Sequence, residues 1–251
     1  MEFFEILGTF KGWTYLIILT LLEIVLGIDN IIFISIVTDN LPKERKRKAR
    51  NIGLTMALVV RLFLLAIVSV IIGMTSPLFS VFGFDFSGQS LVLLIGGLFL
   101  IYKSTIEMHN SVKGEHEGEK NKTKSTMSGI VTQIVLVDLV FSFDSVISAV
   151  GMTNGIRHES GHDPMVIIYF SVIISMIVML LFSGQISKFI SENPTVKMIA
   201  LSFLVTIGVL LVAEAFHQQI PKGYVYFALV YSLIVEMLNI RMRRNKENES
   251  N

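Results

Sequence analysis

The sequence predicts an all-α, polytopic transmembrane helical bundle of about seven spans, arranged as two inverted three-helix repeats plus one extra helix. Three observations support this. Hydrophobic residues make up 52% of the 251 residues and charged residues only 16%, too little polar surface for a soluble domain of this size. The apolar residues come in runs of about 20, the length a helix needs to cross the hydrocarbon core. An acidic pattern in the first run recurs 115 residues later in the fourth.

The spans are expected at 13–37, 50–74, 89–109, 128–150, 164–184, 196–215 and 223–240, with Gly12, Pro77, Pro164, Pro194 and Pro221 at or near the breaks. The start, MEFFEILGTFKGW, has no basic n-region and no small-residue cleavage site. It does not read as a secretory signal peptide, so the first helix is expected to remain in the mature protein. The chain has no cysteine, which excludes disulfides, thiolate metal sites and thiol catalysis.

Basic residues set the orientation. The first loop, PKERKRKAR, carries Lys43, Arg45, Lys46, Arg47, Lys48 and Arg50, whereas the second, TSPLFSVFGFDFSGQ, has neither Lys nor Arg. The third has Lys113, Lys120, Lys122 and Lys124, the fourth only Arg157, and the tail Arg241, Arg243, Arg244 and Lys246. This alternation predicts a multi-pass protein with its N-terminus outside and its C-terminus cytoplasmic. The first loop reads as a topology determinant, not a nucleic-acid patch, and no nucleic-acid partner is expected. The third loop reads as a solvated linker, its His116, Glu115 and Glu117 included.

The first span contains LLEIVLGIDNIIFISIV and the fourth IVLVDLVFSFDSVISAV. Glu23 aligns with Asp138, Asp29 with Asp144 and Asn30 with Ser145, all without a gap. Span three (GGLFLIYKSTIEMH) and span six (IGVLLVAEAFH) also correspond, each with one charge, Lys103 and Glu214. An odd number of spans per repeat inverts the second copy, the plan of secondary transporters with a midplane site. The expected organisation is therefore a first repeat at 1–109, a cytoplasmic linker at 110–127, an inverted repeat at 128–217, and an additional helix with a basic tail at 218–251.

Four membrane carboxylates in two matched pairs point to a cation site, because each costs on the order of 3 kcal/mol at membrane depth. The candidate ligands Glu23, Asp29, Asn30, Asp138, Asp144 and Ser145 offer only oxygen. Such a set suits hard divalent cations: Mn²⁺, Mg²⁺ or Ca²⁺. The 12 methionines are scattered, which fits packing better than a soft-metal site. On a regular helix, residues six apart point about 120° apart. Convergence of Glu23 with Asp29 would then require local unwinding at Gly27, and at its counterpart Ser142 in the fourth span; otherwise Glu23 faces a neighbouring helix.

Arg61, near the centre of span two, must pair or snorkel, and the four carboxylates are its expected partners. Lys103 and Glu214 read as a second inter-repeat pair, or Glu214 as a proton carrier. Glu236 reads as an interfacial end-of-helix charge. The groups Glu107, His109 and Asn110 at one face, and His158, Glu159, His162 and Asp163 at the other, read as loop polarity.

The segments LLEIVLGIDNIIFISIV, NIGLTMALVVRLFLL, IVLVDLVFSFDSVISAVGMT and LLVAEAFHQQIPKGYVYFALVYS resemble the TerC family of bacterial integral membrane proteins. The resemblance covers about residues 13 to 238. The family is named for tellurium resistance, and several members are linked to manganese export or metal homeostasis. The resemblance implies an exporter of the bacterial cytoplasmic (inner) membrane, with Glu23, Asp29, Asn30, Asp138, Asp144 and Ser145 at the conduction site.

The expected function is export of a divalent cation, most simply Mn²⁺, with protons as a coupling ion, no resident cofactor and no enzymatic activity. The lipid bilayer is the expected surrounding partner, and an oligomer is compatible with the sequence. Two alternatives are a proton-coupled exporter of a small organic solute and a membrane assembly factor for metal or tellurite tolerance. An intramembrane aspartyl protease would also need two Asp, but its Tyr-Asp and Gly-x-Gly-Asp signatures are missing.

Overall fold

The structure, a computed structural model, describes residues 8–39, 41–67, 76–81, 84–113, 126–160, 165–218 and 220–249. The side chains of 43, 81, 144, 148, 151–160, 244 and 246–249 lie outside that description. The helices are α1 (Phe10–Asp39), α2 (Lys43–Ala66), α3 (Gly88–Lys113), α4 (Met127–Ser160), α5 (Met165–Glu192), α6 (Pro194–Ala215) and α7 (Lys222–Glu249). Among the described residues these seven are long and apolar enough to cross a membrane. The protein is an all-α polytopic bundle.

Several boundaries differ from the sequence expectation, each for a local reason. α1 starts before Gly12, because Thr9 Oγ1 accepts the Gly12 N–H at 3.0 Å and caps the helix. The basic run from Lys43 to Arg50 is helix, not loop. Lys, Arg and Glu are good helix formers, and Glu44 in the first turn suits the helix dipole. α3 runs to Lys113 and takes Glu107, His109 and Asn110 into the helix. α4 continues past 150 to Ser160, so Arg157, His158 and Glu159 are helical rather than in a loop. His116, Glu115, Glu117, His162 and Asp163 lie outside the described residues.

The expected second loop contains a small antiparallel hairpin, β1 (Pro77–Val81) with β2 (Phe84–Ser87). Its aromatic residues favour strand, and Phe79 stacks on Phe86 with ring centroids 5.7 Å apart.

By its contacts the chain forms two compact units. One holds α1, α2, the hairpin, α4 and α5 as far as Lys188; the other holds α3 from Ser90, and α6 and α7 in the chain from Phe189. In the first unit, α2 packs on α4 and α1 packs on both. Lys46 pairs with Asp39 and Arg61 with Glu23, so α2 rises as α1 falls and the two are antiparallel. Gly53 of α2 lies against Ile134 and Arg61 against Asp138, so α2 and α4 are parallel. The helices carrying the matched acidic motif, α1 and α4, therefore run in opposite directions.

Lipid tails are as apolar as leucine, so close packing and polar contacts, more than the hydrophobic effect, hold spans together. The second unit shows both. α3 and α6 cross at Gly97 and Gly208, so closely that a Cβ on Gly97 would lie 2.7 Å from the Gly208 carbonyl oxygen. α7 is held to α6 by Glu236, which accepts from Thr195 Oγ1 and from Asn239 Nδ2. Glu236 is thus buried against the first turn of α6. α6 ends with His217 in the left-handed region at φ 62°, its N–H bonding Glu214 O while the Gln218 N–H bonds Ala213 O. That pattern is a Schellman cap.

Candidate functional site

The site lies where α1, α2 and α4 meet. Arg61 projects from α2 and is 2% exposed. Its guanidinium makes three contacts. Nη1 donates to Glu23 Oε2 at 2.7 Å, Nη2 to Asp138 Oδ1 at 3.0 Å, and Nε to Ser142 Oγ at 2.9 Å. Ser142 Oγ in turn donates to Asp138 Oδ2 at 3.1 Å. Asn30 Nδ2 donates to Asp138 Oδ1 at 2.7 Å. Asp138 therefore accepts from three groups on three helices.

These positions follow from helical spacing. Asp138 and Ser142 are one turn apart and share a face of α4. Asn30 and Glu23 are seven apart, two turns along one face of α1. Both α1 and α4 are uninterrupted through Gly27 and Ser142. Instead of unwinding, Gly27 leaves room for Met179 of α5. A Cβ there would lie 2.3 Å from the Met179 sulfur.

The remaining expected ligands divide as follows. Asp29 is 1% exposed on the buried half of α1. The Ser145 hydroxyl donates to the Ser142 carbonyl at 3.3 Å. The backbone of Asp144 is on α4 and its side chain lies outside the described residues. Among the described residues, no three His, Cys, Asp or Glu side chains converge as a ready-made metal cage. The charge between Glu23 and Asp138 is the guanidinium.

Electrostatically, the triad of two carboxylates and one guanidinium carries one excess negative charge when ionised. The carboxylate of Asp138 can only accept hydrogen bonds, so Asn30 must present its amide N–H₂ to it. That turns Asn30 Oδ1 away, and this buried oxygen receives no hydrogen bond from the described residues.

Lys103 and Glu214 do not form the expected inter-repeat pair. Lys103 Nζ lies 3.1 Å from Glu107 Oε1, one turn along α3, and Lys222 Nζ lies 3.2 Å from Glu214 Oε2. Each charge takes a partner within reach of its own stretch of chain. The sequence named Ser142 only as the counterpart of Gly27, not as a partner of Arg61 and Asp138, and did not select Met179, which lies beside Gly27. For Ser142 the signal was present: a hydroxyl one turn after a membrane Asp, on the same face.

The chain matches the family described as "Integral membrane protein TerC family" over residues 9–251. It is similar to the UPF0053 inner membrane protein YgdQ of Escherichia coli K12, with 46% identity over 238 residues, 95% of this chain and 95% of that protein. A UPF0053 protein of Haemophilus influenzae Rd is 44% identical over 242 residues, 96% of this chain and 98% of that protein. UPF0053 inner membrane protein YoaE of Escherichia coli K12 is 46% identical over 234 residues. Those residues are 93% of this chain but 43% of YoaE, so the chain spans less than half of that relative's length. No solved structure matches. With seven helices long and apolar enough to cross a membrane among the described residues, and a family match over nearly its whole length, the chain belongs to the TerC family of integral membrane proteins.

Proposed function

We propose that the protein is a secondary transporter that exports a divalent metal cation, with Mn²⁺ the leading substrate, through the carboxylate centre of α1 and α4. The observation that carries this reading is the Arg61 centre. Two buried carboxylates on oppositely running helices share one guanidinium, and the buried oxygen Asn30 Oδ1 beside them has no donor among the described residues. A buried ion pair offsets its desolvation only when hydrogen bonds also satisfy the remaining lone pairs. A centre with surplus negative charge and a spare oxygen suits a cation that arrives and leaves.

Arg61 then acts as a resident competitor. When the cation binds, Glu23 and Asp138 turn to it and the guanidinium gives way; when the guanidinium returns, the cation is released. Asp29, Asp144 and Ser145 extend the oxygen set along the path. Oxygen donors without His or Cys favour Mn²⁺, Mg²⁺ or Ca²⁺ over Zn²⁺. Protons are the proposed coupling ion. The alternation of basic segments supports a cytoplasmic-membrane protein with its C-terminus inside, and the antiparallel setting of α1 and α4 supports the inverted repeat. Two relatives carry the description inner membrane protein.

The test is Mn²⁺ flux in proteoliposomes. Asp29→Asn and Asp144→Asn are each expected to abolish flux with protein yield unchanged, while Zn²⁺ is carried poorly. Full flux by the double variant would overturn the site, and absence of divalent flux by the unaltered protein would overturn the function.

A further inference from the structure

The centre at Arg61 is not the only place where α2 buries a guanidinium. Arg50 closes the basic run at the start of the same helix and lies 11 residues before Arg61, about 16 Å along the axis. It is half-buried. Its guanidinium stands against Gly184 of α5, where a Cβ would lie 3.1 Å from Nη2. A side chain at 184 would crowd the guanidinium by a few tenths of an ångström.

Arg50 differs from Arg61 in meeting no anion among the described residues. Its Nε is buried and has no hydrogen-bond partner, and no ion pair among the described residues involves it. Lys46, the nearby basic residue that does pair, takes Asp39. Arg47, one turn earlier on the same helix, is exposed, and like charges three residues apart on a helix are neighbours that repel. Arginine stays protonated in proteins. Two repelling guanidiniums, one of them partly desolvated, are unfavourable unless an anion meets them.

The depth of Arg50 in α2 suggests which anion. The residues before Arg50 are basic, and the apolar run of α2 begins at Ile52. Arg50 therefore lies at the boundary of the hydrocarbon, where phospholipid headgroups sit, and basic sites there are suited to anionic ones. We propose that Arg50, at its contact with Gly184, and Arg47 form a binding site for a phosphate oxyanion, as carried by an anionic phospholipid headgroup. The planar fork of Arg50 holds two oxygens and Arg47 adds charge. The site does not depend on the transported ion.

The experiment uses the full chain, delipidated in a neutral detergent, with phosphatidylglycerol, phosphatidylcholine or inorganic phosphate added in turn. Lipid retention is read by native mass spectrometry and stabilisation by thermal unfolding. Phosphatidylglycerol is expected to be retained and to raise the unfolding temperature, whereas phosphatidylcholine is not. Arg50→Gln is expected to weaken this binding at least about tenfold, the usual scale for losing a charge-assisted hydrogen bond. Arg50→Lys, which keeps the charge without the fork, should fall between. Gly184→Ala, which crowds the guanidinium while leaving it in place, is the second variant and should also weaken binding if Arg50→Gln does not fold. An equal, Arg50-dependent effect of inorganic phosphate would support the oxyanion site and assign its source to free phosphate. Equal retention of the two lipids, or phosphatidylglycerol binding unchanged in both Arg50→Gln and Gly184→Ala, would overturn the proposal.

Discussion

Arg61 Nε donates to Ser142 Oγ at 2.9 Å. Ser142 is the residue of α4 that corresponds, 115 positions on, to Gly27 of α1. Each of these positions meets a side chain from another helix: Ser142 meets Arg61 of α2, and Gly27 lies against Met179 of α5. The two contacts differ in chemistry, since Ser142 faces a fixed positive charge and Gly27 a neutral thioether.

Removing Arg61 leaves Glu23 and Asp138 buried together without a counter-charge. Arg61→Ala is expected to destabilise the purified protein by about 3–5 kcal/mol, and Arg61→Lys by less. Combining Arg61→Ala with Glu23→Gln should restore part of the loss, because one of the two uncompensated charges is gone. Thermal unfolding in detergent, with Mn²⁺ binding on the same preparation, measures this. A double variant no more stable than Arg61→Ala would show that Glu23 is not ionised in the triad.

At Gly27 the obstacle to a larger residue is the Met179 side chain, not backbone. Gly27→Ala is therefore expected to cost about 1–3 kcal/mol, and Met179→Ala in the same chain should recover some of it. A double-mutant cycle gives the coupling, expected at about 0.5–3 kcal/mol in favour of the pair. Strictly additive losses would mean that Met179 yields freely.

Gly97 and Gly208 offer no such relief. A Cβ at Gly97 meets the Gly208 carbonyl at 2.7 Å and the Val212 amide nitrogen at 3.0 Å; one at Gly208 meets the Gly97 carbonyl at 2.9 Å. Gly97→Ala and Gly208→Ala should each cost about 1–3 kcal/mol or more, the range for overpacking. Second-site trimming of side chains should not rescue them. Yield of folded protein by size-exclusion chromatography and unfolding temperature are the readouts.

His217 occupies a left-handed position in the cap of α6, where a side chain costs on the order of 1–2 kcal/mol and glycine costs little. His217→Gly is expected to stabilise the protein by about 1 kcal/mol, read as a raised unfolding temperature. A loss of stability would reveal that the imidazole holds a contact worth more than the backbone strain.

The sequence made the acidic motif and its counterpart legible because membrane carboxylates are rare and costly. The same cost argument identified Arg61 as a residue in need of an acidic partner. It did not say which carboxylates Arg61 would meet. That depends on how α1 and α4 are rotated about their own axes, which is decided by packing such as Met179 on Gly27, and no local pattern encodes it. The extension of α4 through Arg157 was hidden because GMTNGIRHES has no apolar period and two glycines. The hairpin was hidden because that segment was read for its missing charge, whereas its Phe-rich strands carry their signal in the aromatic residues.

Because α1 and α4 stay helical past Gly27 and Ser142, their main-chain oxygens near the acids are already engaged along each helix axis. In the proposed transporter, an ion reaching Asp138 would therefore meet side-chain oxygens and water rather than main-chain carbonyls. Carboxylate, amide and hydroxyl arms turn about their own bonds, whereas a cradle of backbone carbonyls is fixed by the chain. A cation that tolerates an irregular oxygen shell would be accepted more readily there than one that demands a near-ideal octahedron. Selectivity in such a centre would follow charge and tolerance of geometry more than a fitted size.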